Sequence, residues 1–189
     1  MTNVANNIIF KILDSKSNTY EGLTFLHQVD YSFSPSLGQF QNGKILASFK
    51  GNEVTSDFHT YGHQNGKEWQ EKPYTQQLKP LKGPVIINKL EDTDYLYISS
   101  IDKLNSLFEK VSKKEEIIRG CYWSFCKCFI QMRDVIQSNH ERSTTLYYLD
   151  MWTLPASKII EDHYHNFHYE VIMIMPEAQR ITHFNIGSD

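Results

Sequence analysis

Residues 161–185 read EDHYHNFHYEVIMIMPEAQRITHFN, and this stretch decides how the C-terminal part of the chain folds. It contains two segments rich in apolar and aromatic residues, HYEVIMIM and RITHFN, separated by the polar sequence PEAQ. Short runs of this kind, bounded by turn formers, are typical of β-strands. We therefore predict that the two segments pair as a hairpin, with His163, His165 and His168 at its start.

The first hundred residues carry mostly strand signals. NNIIFKIL and GLTFLHQVDYSF are rich in Ile, Phe, Tyr and Val, and the turn formers DSKSN and SPSLG bound them. Asn42-Gly43 and Asn65-Gly66 are pairs that tolerate positive φ, so each predicts a chain reversal, the first as a two-residue hairpin turn. The segment PVIINKLEDTDYLYISS predicts a further hairpin with EDTD as its turn.

Helical periodicity begins at Ile101, where apolar residues recur at steps of three and four. A second stripe predicts a largely buried helix from about residue 113 to 138; its members are Ile118, Tyr122, Phe125, Phe129, Met132 and Ile136. A strand, TTLYYLDMW, and a short helix opened by Pro155 follow. The sum is a single α+β domain over residues 1–189. It has a β-rich N-terminal half, two amphipathic helices in the middle and a C-terminal hairpin that completes the sheet.

Composition restricts the function classes before any motif is considered. The chain has 189 residues, of which 40% are hydrophobic and 22% charged, with a net charge of −3. This charge disfavours nucleic-acid binding, and no segment approaches the roughly 18 apolar residues of a membrane span. The start of the chain does not resemble a secretory signal, and three clustered cysteines are not a disulfide framework. We therefore expect a cytoplasmic protein with free cysteines.

The first candidate site pairs a thiol with a histidine. Cys121 follows Gly120 at a predicted helix, where unpaired backbone N–H groups stabilise a thiolate. The order of Cys121 on a helix, His168 on a strand and Asn185 on the returning strand resembles papain-like cysteine hydrolases. The resemblance implies that Cys121 is the nucleophile, His168 the base and Asn185 the residue that orients the imidazole, acting on a peptide, amide or acyl bond without a cofactor.

Two features leave this hydrolase hypothesis open. If the second helix continues through Gly120, Cys121 lies in mid-helix and is simply a small buried apolar residue. His163 or His165 could also take the place of His168, because sequence does not distinguish three histidines so close together.

The second candidate is a metal site in the same segment. His163 and His165, followed by Glu170 at the start of a strand, resemble the first motif of cupins. The resemblance implies that two imidazoles and a carboxylate bind one divalent metal ion. The sequence departs from the cupin pattern, since Glu177 stands where a glycine is expected and the 19 residues after Glu170 leave no room for the motif's usual downstream histidine.

A non-catalytic protein fits the composition equally well. The chain has 11 Tyr and 11 Phe residues, and aromatic side chains dominate the energetics of protein interfaces. The alternative to an enzyme is therefore a structural or interaction protein, either a subunit of an assembly or an inhibitor of a partner protein. It predicts protein binding or self-association, and an apolar patch on the surface.

Overall fold

The computed structural model describes residues 8–20, 24–34, 42–50, 81–82, 85–86, 89–113, 121–139, 144–159 and 167–188. The strands are β1 (Ile9–Tyr20), β2 (Thr24–Ser34), β3 (Leu81–Lys82), β4 (Val85–Ile86), β5 (Leu96–Ile98), β6 (Thr145–Asp150), β7 (Phe167–Met175) and β8 (Arg180–Ser188). The helices are α1 (Asn42–Lys50), α2 (Ile101–Ser112) and α3 (Tyr122–Asn139). Six strands form an antiparallel sheet in the order β1-β2-β8-β7-β6-β5, and β3 pairs with β4. The α+β class is confirmed.

The predicted C-terminal hairpin is present, and it forms the middle of the sheet. The β7 and β8 strands pair across residues 176–179 with Glu170 opposite Asn185 and Ile172 opposite His183. All nine residues of β7 are buried, because β2 and β6 flank the hairpin and both of its faces are covered. The predicted hairpin is therefore the centre of the sheet, to which the other strands are added on both sides.

Alternate residues of the central strands point to opposite faces of the sheet, and each face has its own hydrophobic cluster. On one face, α2 and α3 pack against the odd-numbered residues of β7 and against Phe184 and Ile186 of β8. On the other face, α1 packs through Ile45, Leu46 and Phe49 against the even-numbered Ile172 and Ile174. We call these the α2/α3 face and the α1 face.

The predicted hairpin turn at Asn42-Gly43 is wrong, because α1 begins there. Ile45, Leu46 and Phe49 lie at helical spacing and are almost completely buried on the α1 face. Their burial outweighs the local preference of an Asn-Gly pair for a turn, since fully burying one such side chain is worth about 1.5–3 kcal/mol. The second Asn-Gly pair, Asn65-Gly66, lies outside the described residues.

Two other local predictions are corrected. The EDTD segment is not a hairpin turn: residues Asp92–Asp94 form a 3-10 turn, β4 pairs with β3, and β5 pairs with β6. The DSKSN segment is not a turn either, because β1 runs through it to Tyr20. It lacks apolar residues because β1 is an edge strand whose side chains are mostly exposed.

The long helical stripe is confirmed for its C-terminal part. Phe125, Phe129, Met132 and Ile136 are buried on the inner side of α3, as predicted. Tyr122 is exposed rather than buried, and the helix begins at this residue. Residues 114–120, where the sequence predicts the start of the helix, lie outside the described part of the chain.

The contact between Gly187 and Phe25 gives a test of the packing at the end of the central hairpin. A Cβ at Gly187 would lie 2.4 Å from Cζ of the Phe25 ring, whereas one at Gly43 of α1 would meet nothing within 4 Å. We expect Gly187→Ala to lower the free energy of unfolding by about 1–3 kcal/mol through overpacking. We expect Gly43→Ala to raise it by up to about 1 kcal/mol through helix propensity.

Urea unfolding of both variants measures these effects. The double variant Phe25→Leu/Gly187→Ala should be more stable than the sum of its two single changes predicts, because the smaller side chain removes the clash. If Gly187→Ala alone is as stable as the unaltered protein, the Phe25 ring does not cover the glycine.

Candidate functional site

A cluster of polar side chains lies on the α1 face at the centre of the sheet. His168 and Glu170 are two residues apart on β7, and His183 and Asn185 are two apart on β8, so all four share one face. Each of the four is completely buried. Burial of ionisable groups is unfavourable unless they are paired, so the cluster depends on its internal hydrogen bonds.

Glu170 is the centre of the cluster. Its Oε1 lies 3.2 Å from Nε2 of His168, and its Oε2 lies 3.4 Å from Nε2 of His183. The hydroxyl of Tyr95 donates to the same Oε2 at 3.4 Å. Burial and the nearby Glu170 carboxylate raise the pKa of Tyr95 well above its usual value, so this phenol keeps its proton and remains a donor.

One further side chain, His27, borders the cluster, and Asn185 is the member that it faces. His27 of β2 pairs with Asn185 across the sheet, and burial together with the nearby His168 lowers its pKa to about 4. His27 is therefore neutral at physiological pH. The amide of Asn185 is completely buried and makes no hydrogen bond within the described part of the chain. An unpaired buried amide destabilises a protein by about 1–3 kcal/mol.

The chemistry available to this cluster is proton transfer between imidazole and carboxylate. Such pairs act as general acids and bases only where a substrate can approach. Since the exposed fraction of His168, Glu170 and His183 is 0%, none of the three is open to solvent in this structure.

The metal hypothesis depends on residues that the structure does not describe, because His163 and His165 lie in the gap before β7. Glu170 is described, and its two oxygens face His168 and His183 separately. Among the described residues, no group of three or more His, Cys, Asp or Glu side chains is arranged to hold a metal ion. The metal site of His163, His165 and Glu170 stays a prediction.

Cys121 is on the other side of the sheet from His168 and His183. It directly precedes α3, and its carbonyl accepts a hydrogen bond from the Phe125 amide at 2.8 Å. Its Sγ lies 3.6 Å from Oγ of Ser188 and packs against the α2/α3 face. His168 belongs to the α1 face, and its ring contacts Glu170.

The structure therefore brings His168 and Asn185 into one cluster and leaves Cys121 outside it. A thiol and an imidazole must be within hydrogen-bonding distance to act as a nucleophile and base. The hydrolase hypothesis receives no support from this placement, and it stays a prediction.

Sequence reasoning missed His183, which belongs to the cluster, and His27 and Tyr95, which border it. His183 could have been found, because a hairpin turning through PEAQ places it diagonally across from Glu170 on the same face. His27 and Tyr95 carry no such local signal, since His27 lies on β2 and Tyr95 directly precedes β5, far from Glu170 in the chain.

A second candidate site lies on the outer side of α3. Four exposed residues, Trp123, Lys127, Ile130 and Asp134, follow one another at steps of four, three and four. They fall within about 60° of helix circumference, opposite the buried Phe129 and Met132. The exposed fractions of Trp123 and Ile130 are 77% and 45%. We call these four residues the outer stripe.

A groove of about 550 Å³ runs beside the outer stripe. It is lined by Tyr20, Lys127, Ile130, Gln131, Asp134, Val135, Ser138 and Asn139. The Tyr20 hydroxyl donates to Oε1 of Gln131 at 2.7 Å, and Nζ of Lys127 lies 6.0 Å from the centre of the Tyr20 ring. These contacts fix one wall of the groove to the end of β1.

Comparisons with protein-family models, with curated proteins and with solved structures found no match. The function is therefore inferred from the residues and geometry of the chain itself. Across the described ranges, no helix has the length and apolar character needed to cross a membrane.

The depressed pKa of His27 predicts acid sensitivity. Its pKa is about 4 in the folded protein and about 6.5 in an unfolded chain, so the unfolded state binds more protons between these values. The free energy of unfolding should fall as the pH drops from about 6.5 towards 4, by up to about 1.4 kcal/mol per pH unit from this group. Urea unfolding across this range measures the slope.

The matching variant is His27→Gln, which removes the titrating group. It should have a shallower pH dependence between about pH 6.5 and 4 than the unaltered protein. Its stability at about pH 8, where His27 is neutral in both states, reports the loss of packing alone. An unchanged slope in the variant would show that His27 is not the acid-sensitive group.

Because Cys121 and His168 are separated, we expect the reactivity of the Cys121 thiol not to depend on His168. We expect iodoacetamide to alkylate Cys121 at the same rate in the native protein and in the folded variant His168→Gln. Cys128 serves as the internal control, because burial raises the pKa of its thiol to about 12 and should keep it unreactive. Peptide mapping measures both rates, and slower alkylation of Cys121 in the variant would restore the hydrolase hypothesis.

Proposed function

We propose that this protein is a non-catalytic binding protein that contacts another protein chain through the outer stripe of α3. The observation that carries the proposal is the exposure of Trp123, of which 77% is accessible to solvent. Tryptophan is among the residues most enriched at the energetic centres of interfaces. An exposed indole aligned with Ile130 on one helical stripe is more typical of a contact surface than of an ordinary solvated face.

The free energy gained by burying Trp123 is large enough to stabilise a protein contact. A Trp side chain buries about 150–250 Å² in a contact, so removing its exposed part from water is worth roughly 3–5 kcal/mol before the costs of association. The Tyr122 ring lies edge-on to the indole with centroids 5.4 Å apart, which limits the orientations of Trp123. A restricted side chain loses less entropy on binding.

The α3 helix is also held rigidly by the packing of its inner side. Phe125, Phe129 and Met132 anchor the inner side of α3 in the core of the α2/α3 face. The Phe108 ring of α2 stacks on Phe129 with centroids 3.8 Å apart. A helix fixed in this way presents its outer stripe in one orientation, so the surface is preorganised for a partner.

The exposed apolar residues of β1 are less suited to binding. Ile9, Ile12 and Leu13 are exposed on the edge strand β1. The pairing of β1 with β2 is interrupted by a bulge between Ile12 and Asp14, and Lys11 and Lys16 flank it. Bulges and lysines are devices that prevent an edge strand from pairing with another chain.

The enzyme alternative lacks comparable support. Cys121 and His168 lie on opposite faces of the sheet, and the His168–Glu170–His183 cluster is closed to solvent. A papain-like hydrolase remains a hypothesis that the alkylation of Cys121 tests directly.

A photo-cross-linker at Ser138, which lines the groove, tests the proposal. We expect p-benzoylphenylalanine at Ser138 to form covalent adducts with protein, both in purified protein at high concentration and in extracts of the cells that make it. The same group at Lys110, exposed on α2, should form far fewer. Gel electrophoresis after irradiation measures the yield at each position.

The dependence on Trp123 separates a specific contact from chance collision. Trp123→Ala should abolish the adducts at Ser138, whereas Trp152→Ala, which removes a half-exposed indole from the turn after β6, should leave them unchanged. Equal yields at Ser138 and Lys110, or adducts insensitive to Trp123, would exclude the outer stripe as a binding surface.

A further inference from the structure

We infer that the partner of the outer stripe is a second copy of this chain, with the two α3 helices packed antiparallel about a two-fold axis. This inference rests on the proposed function and names its partner. The axis passes between Ile130 and Gln131, so each residue of one helix faces the residue equally distant from the axis on the other. A two-fold contact of this kind requires a surface that is complementary to itself.

The charges of the outer stripe meet this requirement. The antiparallel arrangement places Lys127 opposite Asp134 of the second copy, and the symmetry repeats the pair. Within one helix the two charges are seven residues, or about 10.5 Å, apart, too far to pair with each other. Lys127 makes no salt bridge within the described part of the chain, and the Asp134 carboxylate pairs there with its half-buried neighbour Arg133, at 3.2 Å. Surface pairs of that type contribute little to stability.

The shape of the surface is also complementary to itself. The same register places Trp123 opposite Ser138, about 11 Å from the axis. Ser138 lines the groove of about 550 Å³ together with Asp134, Val135 and Asn139. The indole of each copy therefore faces the groove of the other, and Ile130 lies at the centre of the contact. One register thus pairs both charges and fills both grooves.

The spacing of the outer stripe fixes the crossing geometry. Steps of four, three and four residues form a seam like that of a coiled coil, which favours a shallow crossing angle of about 20°. At this angle residues about 11 Å from the axis stay in contact, as the Trp123 and Ser138 pairing requires. The helix of 18 residues is about 27 Å long, so the contact is small. We expect a dissociation constant on the order of micromolar.

Charge reversal with sedimentation velocity tests this arrangement. Lys127→Glu alone sets a glutamate against Asp134 of the second copy, and Asp134→Lys alone sets Lys127 against a lysine. Each variant should weaken self-association by about tenfold or more, since both symmetry-related pairs become repulsive. An equimolar mixture of the two variants should associate as a heterodimer, because both of its pairs are again of opposite charge. Lys110→Glu on α2 carries the same charge change outside the contact and should associate like the unaltered protein.

The outcomes separate this inference from the proposed function. Recovery of association only in the mixture supports the antiparallel pairing. A mixture that stays monomeric, or an unaltered protein that is monomeric at concentrations well above micromolar, overturns the self-pairing. If Trp123-dependent adducts at Ser138 then contain another protein, the outer stripe still binds a partner. If no such adducts form, the proposed function fails as well.

Discussion

The burial of the β7–β8 hairpin on both faces is the constraint on which the rest of the structure depends. A hairpin whose strands are buried at every position except Arg180 has no polar face to leave in water, so each side needs a covering layer. The α2 and α3 helices supply one layer, and α1 contributes to the other. The β2 and β6 strands satisfy the outer backbone groups of the hairpin, and β1 and β5 become the edges.

This central position explains why the polar cluster is closed to solvent. Glu170 lies on β7 between β6 and β8, with its side chain buried on the α1 face, so its oxygens are satisfied by internal hydrogen bonds rather than by water. His168, His183 and Tyr95 provide them. Buried polar networks of this kind restrict the ways in which a sheet can align, because a shift in register would leave their members unpaired.

The α3 helix shows how one element serves both the fold and the surface. Its inner side is held by Phe125, Phe129 and Met132, and this anchoring allows its outer side to carry Trp123 without distortion. The apolar stripe that packs the helix and the outer stripe that we propose to bind a second copy are on opposite sides of one cylinder. Substitutions on the outer side of α3 can therefore alter binding without altering core packing, and substitutions on the inner side can do the reverse.

Local patterns in the sequence determined the α+β class, the α2 helix, most of α3 and the C-terminal hairpin. These elements form between residues close in the chain, so periodicity and the PEAQ turn are sufficient to predict them. The same hairpin also implies that Glu170 lies opposite Asn185 and near His183.

Only the tertiary structure decided the rest. The Asn42-Gly43 pair became the start of a helix because distant strands bury Ile45, Leu46 and Phe49. Tyr95, which directly precedes β5, and His27 of β2 reached the Glu170 cluster from positions far away in the chain. Cys121 and His168 were separated by the sheet itself, since the face on which a residue lies depends on how its whole strand or helix packs.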